Sequence, residues 1–348
     1  MINYIKGDLF DDRAEAIVNT VNCVGVMGRG IALQFKKRYP DNFREYAAVC
    51  KRGEMVPGRV FVFDTNSFIN PRYIINFPTK RHWRGASRIE DIETGLADLV
   101  KTIEKYEIKS IAIPPLGSGL GKLDWTLVKS KIETAFEGFD DVEVNIYEPA
   151  GAPAAENMAH SSRVPAMTPG RAALIELMHV YLEGLLDPYI TLLEVHKLMY
   201  FLQAEGEDLR LDFVKKPYGP YANNLSHVLN TIEGHMVMGY ADGGNDPRKE
   251  LTLMPGAVDD AQKHMLTQPD TMERIKRVTE LVDGFETPFG LELLATVHWV
   301  ASNDADTLEK VIEETYAWHA HKRQFDRRQI ETAMNRLISL KWLSATTI

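Results

Sequence analysis

Cysteine is scarce in this chain: 348 residues contain two, Cys23 and Cys50. Two cysteines build no disulfide framework. Neither sits in a Cys/His cluster at metal-ligand spacing, so no metal site is expected. Long apolar runs are also missing; no window approaches the roughly 18 residues that a membrane-crossing helix needs. The N-terminus, MINYIKGDLF, lacks the charged-then-apolar pattern of a secretory signal. These absences point to a cytoplasmic protein without membrane attachment. No internal repeat is evident. The glycine spacing of a dinucleotide-binding fold and the Gly-Lys-Ser/Thr of a nucleotide-triphosphate loop are both absent, which argues against those two phosphate-binding classes. No cofactor is expected.

Net charge is −9, with 40 basic and 49 acidic residues, and it is unevenly spread. Residues 1–150 hold 21 of each sign, so the whole excess lies in residues 151–348, with 19 basic and 28 acidic residues. Such asymmetry concerns partners rather than fold, and a merely soluble acidic domain accounts for it equally well.

At roughly 100–200 residues per domain, the length predicts about two domains. Residues 151–169 lie within a stretch, PAGAPAAENMAHSSRVPAMTPG, rich in Ala, Pro, Gly and Ser and without apolar periodicity; this reads as a linker between domains at 1–150 and 170–348. Before it, strand and helix patterns alternate. Strands are expected just before Lys6 and over Ala16–Val21, Val60–Phe63, Arg72–Phe77, Ser110–Ile113 and Val142–Tyr147. Helices are expected over Gly30–Tyr39, Ser87–Tyr106 and Leu123–Phe136, with Asp124 suited to cap the helix that starts at Trp125. This is the pattern of an α/β fold with a mixed sheet sandwiched by helices. After the linker the periodicity is mainly helical, over Arg171–Leu185, Leu192–Gln203, Ala222–Glu233, Asp270–Asp283, Phe289–Ser302, Thr307–Trp318 and Arg328–Leu340. Strand candidates there are Met236–Tyr240 and Glu250–Leu253.

Three segments of the first domain carry chemistry. In Lys6-Gly7-Asp8-Leu9, a carboxylate just past a strand end either caps a turn or accepts from an exocyclic amine such as adenine's. In Asn19–Ala32, a strand runs through a glycine-bearing loop into a helix; glycines let backbone approach a phosphate or ribose, and the helix start adds unpaired N–H groups. Asn22 on that loop is able to hydrogen-bond a ribose hydroxyl. In Pro114–Gly121 a second glycine loop again follows a strand and precedes a helix. Two such loops at one sheet edge are suited to hold a diphosphate.

In order and context these motifs resemble a macrodomain. They are Lys6-Gly7-Asp8-Leu9, Asn22 with Met27-Gly28-Arg29-Gly30-Ile31-Ala32, and Pro115-Leu116-Gly117-Ser118-Gly119-Leu120. The resemblance covers about Met1–Tyr147. Within macrodomains it is similar to the branch of the human terminal ADP-ribose glycohydrolase and the DarG-type antitoxins, which are DNA ADP-ribosyl glycohydrolases; its mark is Thr79-Lys80 after the strand. The resemblance implies an ADP-ribose site. Asp8, Leu9 and Tyr147 would lie at the adenine. Thr20, Asn22 and Gly28, Arg29, Gly30, Ile31, Ala32 would lie at the distal ribose and phosphate. Leu116, Gly117, Ser118, Gly119, Leu120 and Gly121 would cradle the diphosphate, and Thr79 would adjoin Lys80. Lys80 and Asn22 are the catalytic candidates.

Binding ADP-ribose needs no lysine; cleaving it from a base gives an amine two uses. It attacks the anomeric carbon, or the opened sugar's aldehyde, or it stabilises charge on the departing base. Attack needs an unprotonated amine, which burial and nearby cations favour; Arg81, the next residue, is expected to press in that direction. On composition alone Lys80 reads first as a surface lysine on a polar loop; the family resemblance reverses that reading. One departure stands out: the human enzyme carries an aspartate where this chain has Gly121, which argues against a paired lysine–aspartate mechanism and fits the DarG side of the branch.

The run Arg81-His82-Trp83-Arg84 interleaves basic and aromatic side chains, as a single-stranded nucleic acid contact would, although a solvated loop has the same composition. In the second half, Leu193–Gln203 and Phe213–Tyr221 resemble helical antitoxin domains of the SocA-like type. The resemblance implies binding of a DarT-like ADP-ribosyltransferase toxin, with ADP-ribose and ADP-ribosylated single-stranded DNA, thymine-linked, as ligand and substrate. Alternatives are a hydrolase of protein-linked ADP-ribose or O-acetyl-ADP-ribose, a non-catalytic ADP-ribose reader, and a sensor whose acidic half is a scaffold.

Overall fold

A computed structural model describes residues 1–139, 141–149, 158, 164–185, 188–241, 243–305 and 307–344. Most of the expected linker lies outside the described residues. The chain divides into two compact units, Met1–Ser161 and Ser162–Ile348.

The first unit is built on a six-stranded sheet in the order β1-β6-β5-β2-β4-β3. Its strands are β1 (Ile2–Ile5), β2 (Ala16–Asn22), β3 (Phe61–Asp64), β4 (Tyr73–Lys80), β5 (Ser110–Ile113) and β6 (Glu143–Tyr147). All pair in parallel except β3, which runs antiparallel to β4. The central strands read as continuous apolar runs because both faces are covered. On one face Val18, Phe77, Ile111 and Val144 pack against α3 (Ile89–Tyr106) and α4 (Trp125–Ala135). On the other, Ile17, Ile74 and Ala112 meet Phe35 of α1 (Gly30–Arg38), while Val21 meets Tyr46 and Val49 of α2 (Pro40–Lys51). The stripe Ile92, Leu96, Leu99, Ile103 keeps one face of α3 buried, at the spacing an amphipathic helix requires. Asp124 caps α4 as expected, accepting from the Leu127 N–H at 3.0 Å.

Two differences from the sequence reading have physical causes. α2 has thin apolar periodicity, burying Asn42 together with Tyr46 and Val49, so its pattern is masked. α3 begins at Ile89 rather than Ser87, because the Ser87 N–H donates at 3.0 Å to the Gly121 carbonyl and is held in the loop ahead of the helix.

The second unit is mainly helical. Its elements are α5 (Pro169–Glu183), β7 (Ile190–Thr191), α6 (Leu192–Ala204), β8 (Phe213–Lys216), β9 (Gly219–Ala222), α7 (Leu225–Ile232), β10 (Val237–Met238), β11 (Glu250–Leu253), α8 (Ala257–Met265), α9 (Pro269–Val282), α10 (Pro288–Asn303), α11 (Leu308–Trp318) and α12 (Arg327–Ser339). α6 starts in a capping box between Thr191 and Glu194 and is buried along most of its length. The expected helix over Ala222–Glu233 starts only at Leu225, because Ala222 ends β9 and pairs with Phe213. The β8–β9 hairpin itself is invisible to periodicity: Lys215, Lys216 and Pro220 break any alternation. No described helix is long and apolar enough to cross a membrane.

Candidate functional site

The parallel strands deliver their carboxyl ends to one sheet edge, where open α/β sheets form their binding crevice. β1 leads into Gly7-Asp8, β2 ends at Asn22, β4 at Lys80, β5 leads into the Pro114–Gly121 loop and β6 ends at Tyr147. Register makes neighbours of residues far apart in sequence: Ile5 pairs with Tyr147, and Asn22 with Lys80 across a bulge between Val21 and Asn22.

Asn22 shapes the first glycine loop. Its Nδ2 donates to the Val26 carbonyl at 2.5 Å, and its Oδ1 accepts from the N–H groups of Val24 and Val26 at 3.0 and 3.3 Å. The fully buried Tyr46 hydroxyl donates to the Asn22 carbonyl at 2.6 Å, fixing the end of the strand. Beneath it, Asn19 donates to Asn76 at 2.9 Å and Asn76 to Asn42 at 2.7 Å, tying β2, β4 and α2 together in the interior. α1 then starts at Gly30, whose φ of +57° suits a residue without Cβ. Its N-cap, Arg29, makes no side-chain cap hydrogen bond. A Cβ on Gly30 would come within 3.6 Å of Leu120 Cδ1, so the two glycine loops meet. Gly28 precedes this junction, and Ile31 and Ala32 sit partly buried in the first turn of α1.

The second loop turns on Gly117 at φ +67° and closes through Leu123 N–H to the Gly117 carbonyl and Lys122 N–H to the Gly119 carbonyl, both 3.1 Å. Gly121 has no room for a side chain: a Cβ there would lie 2.2 Å from both the Gly117 carbonyl oxygen and Ser87 Oγ. The departure at Gly121 thus has a steric cause in this chain. Ser118 and the exposed Leu120 form the outer lip, while Leu116 is buried below it.

Lys80 reaches from β4 to this loop, its Nζ donating to the Leu120 carbonyl. Partial burial first, and the charge of Lys122 second, hold its ammonium below the usual lysine range. The neighbour pressing on Lys80 is therefore Lys122 and not Arg81. Arg81 turns to the buried Asp91, meeting both carboxylate oxygens at 3.0 and 3.1 Å. Lys122 occupies the left-handed region at φ +66°, a conformation costing an L-residue about 1–2 kcal/mol. Replacing Lys122 by methionine is expected to raise the ionisation of Lys80, because a like charge that disfavours the ammonium is removed. The Lys80 Cε carbon shift followed against pH checks this; arginine at 122 should leave the titration in place.

The remaining expected residues occupy supporting and rim positions. Asp8 caps the turn at Leu9–Asp11, accepting from the Phe10 N–H at 3.0 Å, and Leu9 is buried beneath it. The Tyr147 hydroxyl donates to Asp12 at 2.9 Å; burial and that bond raise its ionisation above the usual range. Thr79 is buried, its hydroxyl 3.4 Å from the Val21 carbonyl, and Thr20 is partly exposed on β2. Cys23 beside Asn22 is no nucleophile at neutral pH: burial, Cys50 and Asp91 push its thiol up to about 11. Past Lys80, His82 and Trp83 lie with ring centroids 5.4 Å apart, and the Arg84 guanidinium covers Trp83 at 4.5 Å. Trp83 is 47% exposed, so this stack faces solvent. Tyr46, Ser87, Asp91 and Lys122 escaped the sequence reading, since each matters through a partner distant in sequence.

The Macro domain model matches residues 18–132, which span the first glycine loop, Lys80 and the second loop. A DNA ADP-ribosyl glycohydrolase of Thermus aquaticus is 44% identical over 342 residues, 97% of this chain and 93% of that protein. The chain belongs to the DNA ADP-ribosyl glycohydrolase family. A solved macrodomain of Mycobacterium tuberculosis DarG is 53% identical, covering 43% of this chain and 98% of that one, with a TM-score of 0.42. A Thermosipho africanus protein described as a DNA ADP-ribosyl transferase–DNA ADP-ribosyl glycohydrolase fusion is 34% identical over 142 residues, 36% of this chain and 37% of that protein. Family membership extends across both units, since the Thermus match spans nearly the whole chain.

Proposed function

We propose that the first unit releases ADP-ribose from ADP-ribosylated single-stranded DNA, thymine-linked, and that the second unit binds and blocks a DarT-like ADP-ribosyltransferase. The observation that carries the enzymatic half is Lys80: a partly desolvated amine at the sheet edge, bonded to the diphosphate-type loop and paired in register with Asn22. In this reading the adenine lies by Asp8, Leu9 and Tyr147, and the Gly117–Gly121 loop holds the diphosphate. Asn22 orients the distal ribose through the loop it braces. The neutral amine of Lys80 attacks the anomeric carbon, so that a C–N bond forms as the bond to the base breaks; the base leaves with that electron pair and takes up the proton shed by the amine, and water then displaces the amine to give ADP-ribose. Trp83 and Arg84 stack and pair with the strand that leaves.

A carboxylate partner for Lys80 at position 121 is sterically closed, which supports base-linked over ester-linked ADP-ribose. The toxin-binding half is supported by the fusion of transferase and glycohydrolase in the Thermosipho relative and by the excess of acidic residues after 150, suited to a protein that binds DNA. The test incubates the chain with a single-stranded oligonucleotide bearing ADP-ribose on one thymine, and in parallel with protein modified on glutamate. Free ADP-ribose from the DNA and not the protein is expected; release from the protein alone overturns the substrate assignment. Residues 164–348, mixed with the transferase, should inhibit it without hydrolysis; undiminished DNA modification overturns the second half.

A further inference from the structure

We propose that the second unit carries a binding site for a carboxylate borne on a flat apolar body, in the cavity between the start of α6 and the tip of the β8–β9 hairpin. This goes beyond the proposed function and uses residues that neither hydrolysis nor the sheet edge employs.

The cavity has a volume of about 300 Å³ and is lined by His196 and Lys197 of α6, Tyr218 and Gly219 of the hairpin tip, Tyr221 and Asn223. Lys197 is almost wholly buried, and its Nζ donates to the Pro220 carbonyl at 2.8 Å. An ammonium carries three donors, so one carbonyl leaves it under-satisfied. A second buried lysine, Lys322, lies behind it and donates to Glu292 at 2.7 Å and to Thr296 at 2.9 Å. Glu292 also receives Gln324 at 3.3 Å and has His321 at 3.5 Å. Among the described residues, Glu292 is the carboxylate that acts on both lysines, so the cluster holds two cations against one anion. A buried charge is retained when it is paired. Burial first and Lys322 second lower Lys197 to about 7, so an anion placed beside it would favour its charged form.

The backbone is shaped to the same end. Gly219 sits at φ +94°, and a Cβ there would lie 3.3 Å from Lys197 Cε and 3.0 Å from Thr296 Oγ1, so only glycine lets the hairpin approach this closely. His196 stacks on Tyr221 with centroids 4.0 Å apart and accepts from the Ala222 N–H at 3.4 Å through Nδ1. Burial, with Lys197, holds His196 well below its usual range; it is neutral, and with Nδ1 accepting, its proton is on Nε2, a second donor. Tyr218 supplies a flat apolar wall. An incoming carboxylate completes the charge set and a flat aromatic body lies along Tyr218.

The test uses the full chain with 3-phenylpropionate, its neutral amide 3-phenylpropanamide, and N-acetyl-glycyl-phenylalanine, titrated calorimetrically. At pH 6, where Lys197 is charged, the acid is expected to bind at least tenfold more tightly than the amide, and by pH 9 that advantage should vanish. Lys197→Met should abolish the advantage at pH 6. Tyr218→Ala, at a residue 41% exposed and so harmless to folding, should weaken the acid several-fold and keeps the test sound if Lys197→Met does not fold. Tighter binding of the peptide identifies a protein chain end as the natural source; tighter binding of the small acid identifies a free metabolite. Equal affinity for acid and amide at pH 6, binding by neither, or acid binding unchanged in Tyr218→Ala overturns the site.

Discussion

Lys80→Ala is expected to lower release of ADP-ribose from modified DNA by roughly a thousandfold or more, the scale at which a positioned catalytic side chain acts. ADP-ribose affinity should change much less, because the loops proposed to hold it are braced mainly by their own bonds, with Lys80 adding one, to the Leu120 carbonyl. Asn22 is braced by Tyr46, Val24 and Val26, and the second loop closes on its own backbone. Lys80→Arg separates the two uses of the amine. Arginine keeps a positive charge but offers no neutral amine, so it preserves activity if charge stabilisation suffices and fails if covalent attack is required. Calorimetry with ADP-ribose and time courses of release from a modified oligonucleotide provide both readings. A mutant that still releases ADP-ribose at the original rate would falsify the assignment. Reduction with borohydride during turnover should attach the sugar to Lys80 in the wild type, and mass spectrometry of the peptide ending β4 would find it.

The second large effect is expected at Gly121. Replacing it by alanine forces a methyl group into the space between the Gly117 carbonyl and the Ser87 hydroxyl, both 2.2 Å from the new atom. Overpacking of this kind costs about 1–3 kcal/mol, or roughly fivefold to 150-fold if it falls on binding. The loop that opens to admit the methyl group is the one proposed to meet the diphosphate, so ADP-ribose affinity should fall by that amount. Gly119→Ala is the control: no atom lies within 4 Å of its added Cβ, and affinity should stay near the wild-type value. Gly121→Asp should behave like the alanine or worse and should not confer ester cleavage, because the obstacle is backbone and Ser87 rather than a missing acid. Equal affinities of the two alanine variants would show the loop to be more compliant than its packing implies.

Much of the first unit was legible in its residues. β-branched runs separated by amphipathic helices predict the layered sheet, and glycines after strand ends mark where backbone segments approach one another closely. Asn22, Lys80 and both glycine loops emerged from local chemistry and motif order. α2 and the β8–β9 hairpin did not, because one buries as much polar as apolar surface and the other breaks alternation with Lys and Pro. Arg81 illustrates a different failure. Adjacency in sequence suggested that it presses on Lys80, but Arg81 lies just past the end of β4 and pairs with Asp91 on the following helix.

By itself the sequence determined the layer architecture, the change from strand–helix alternation to helices after residue 170, the acidic excess of the second half and the family. These follow from periodicity, composition and short motifs, which act over a few residues. Only the tertiary structure decided that Lys122 rather than Arg81 presses on Lys80, that Ser87 and the Gly117 carbonyl close position 121, and that two buried lysines, one of them lining a cavity, both lie in the field of Glu292. Each of these is an interaction between groups brought together by strand register or helix packing, and its strength depends on distance and burial, which no local pattern encodes.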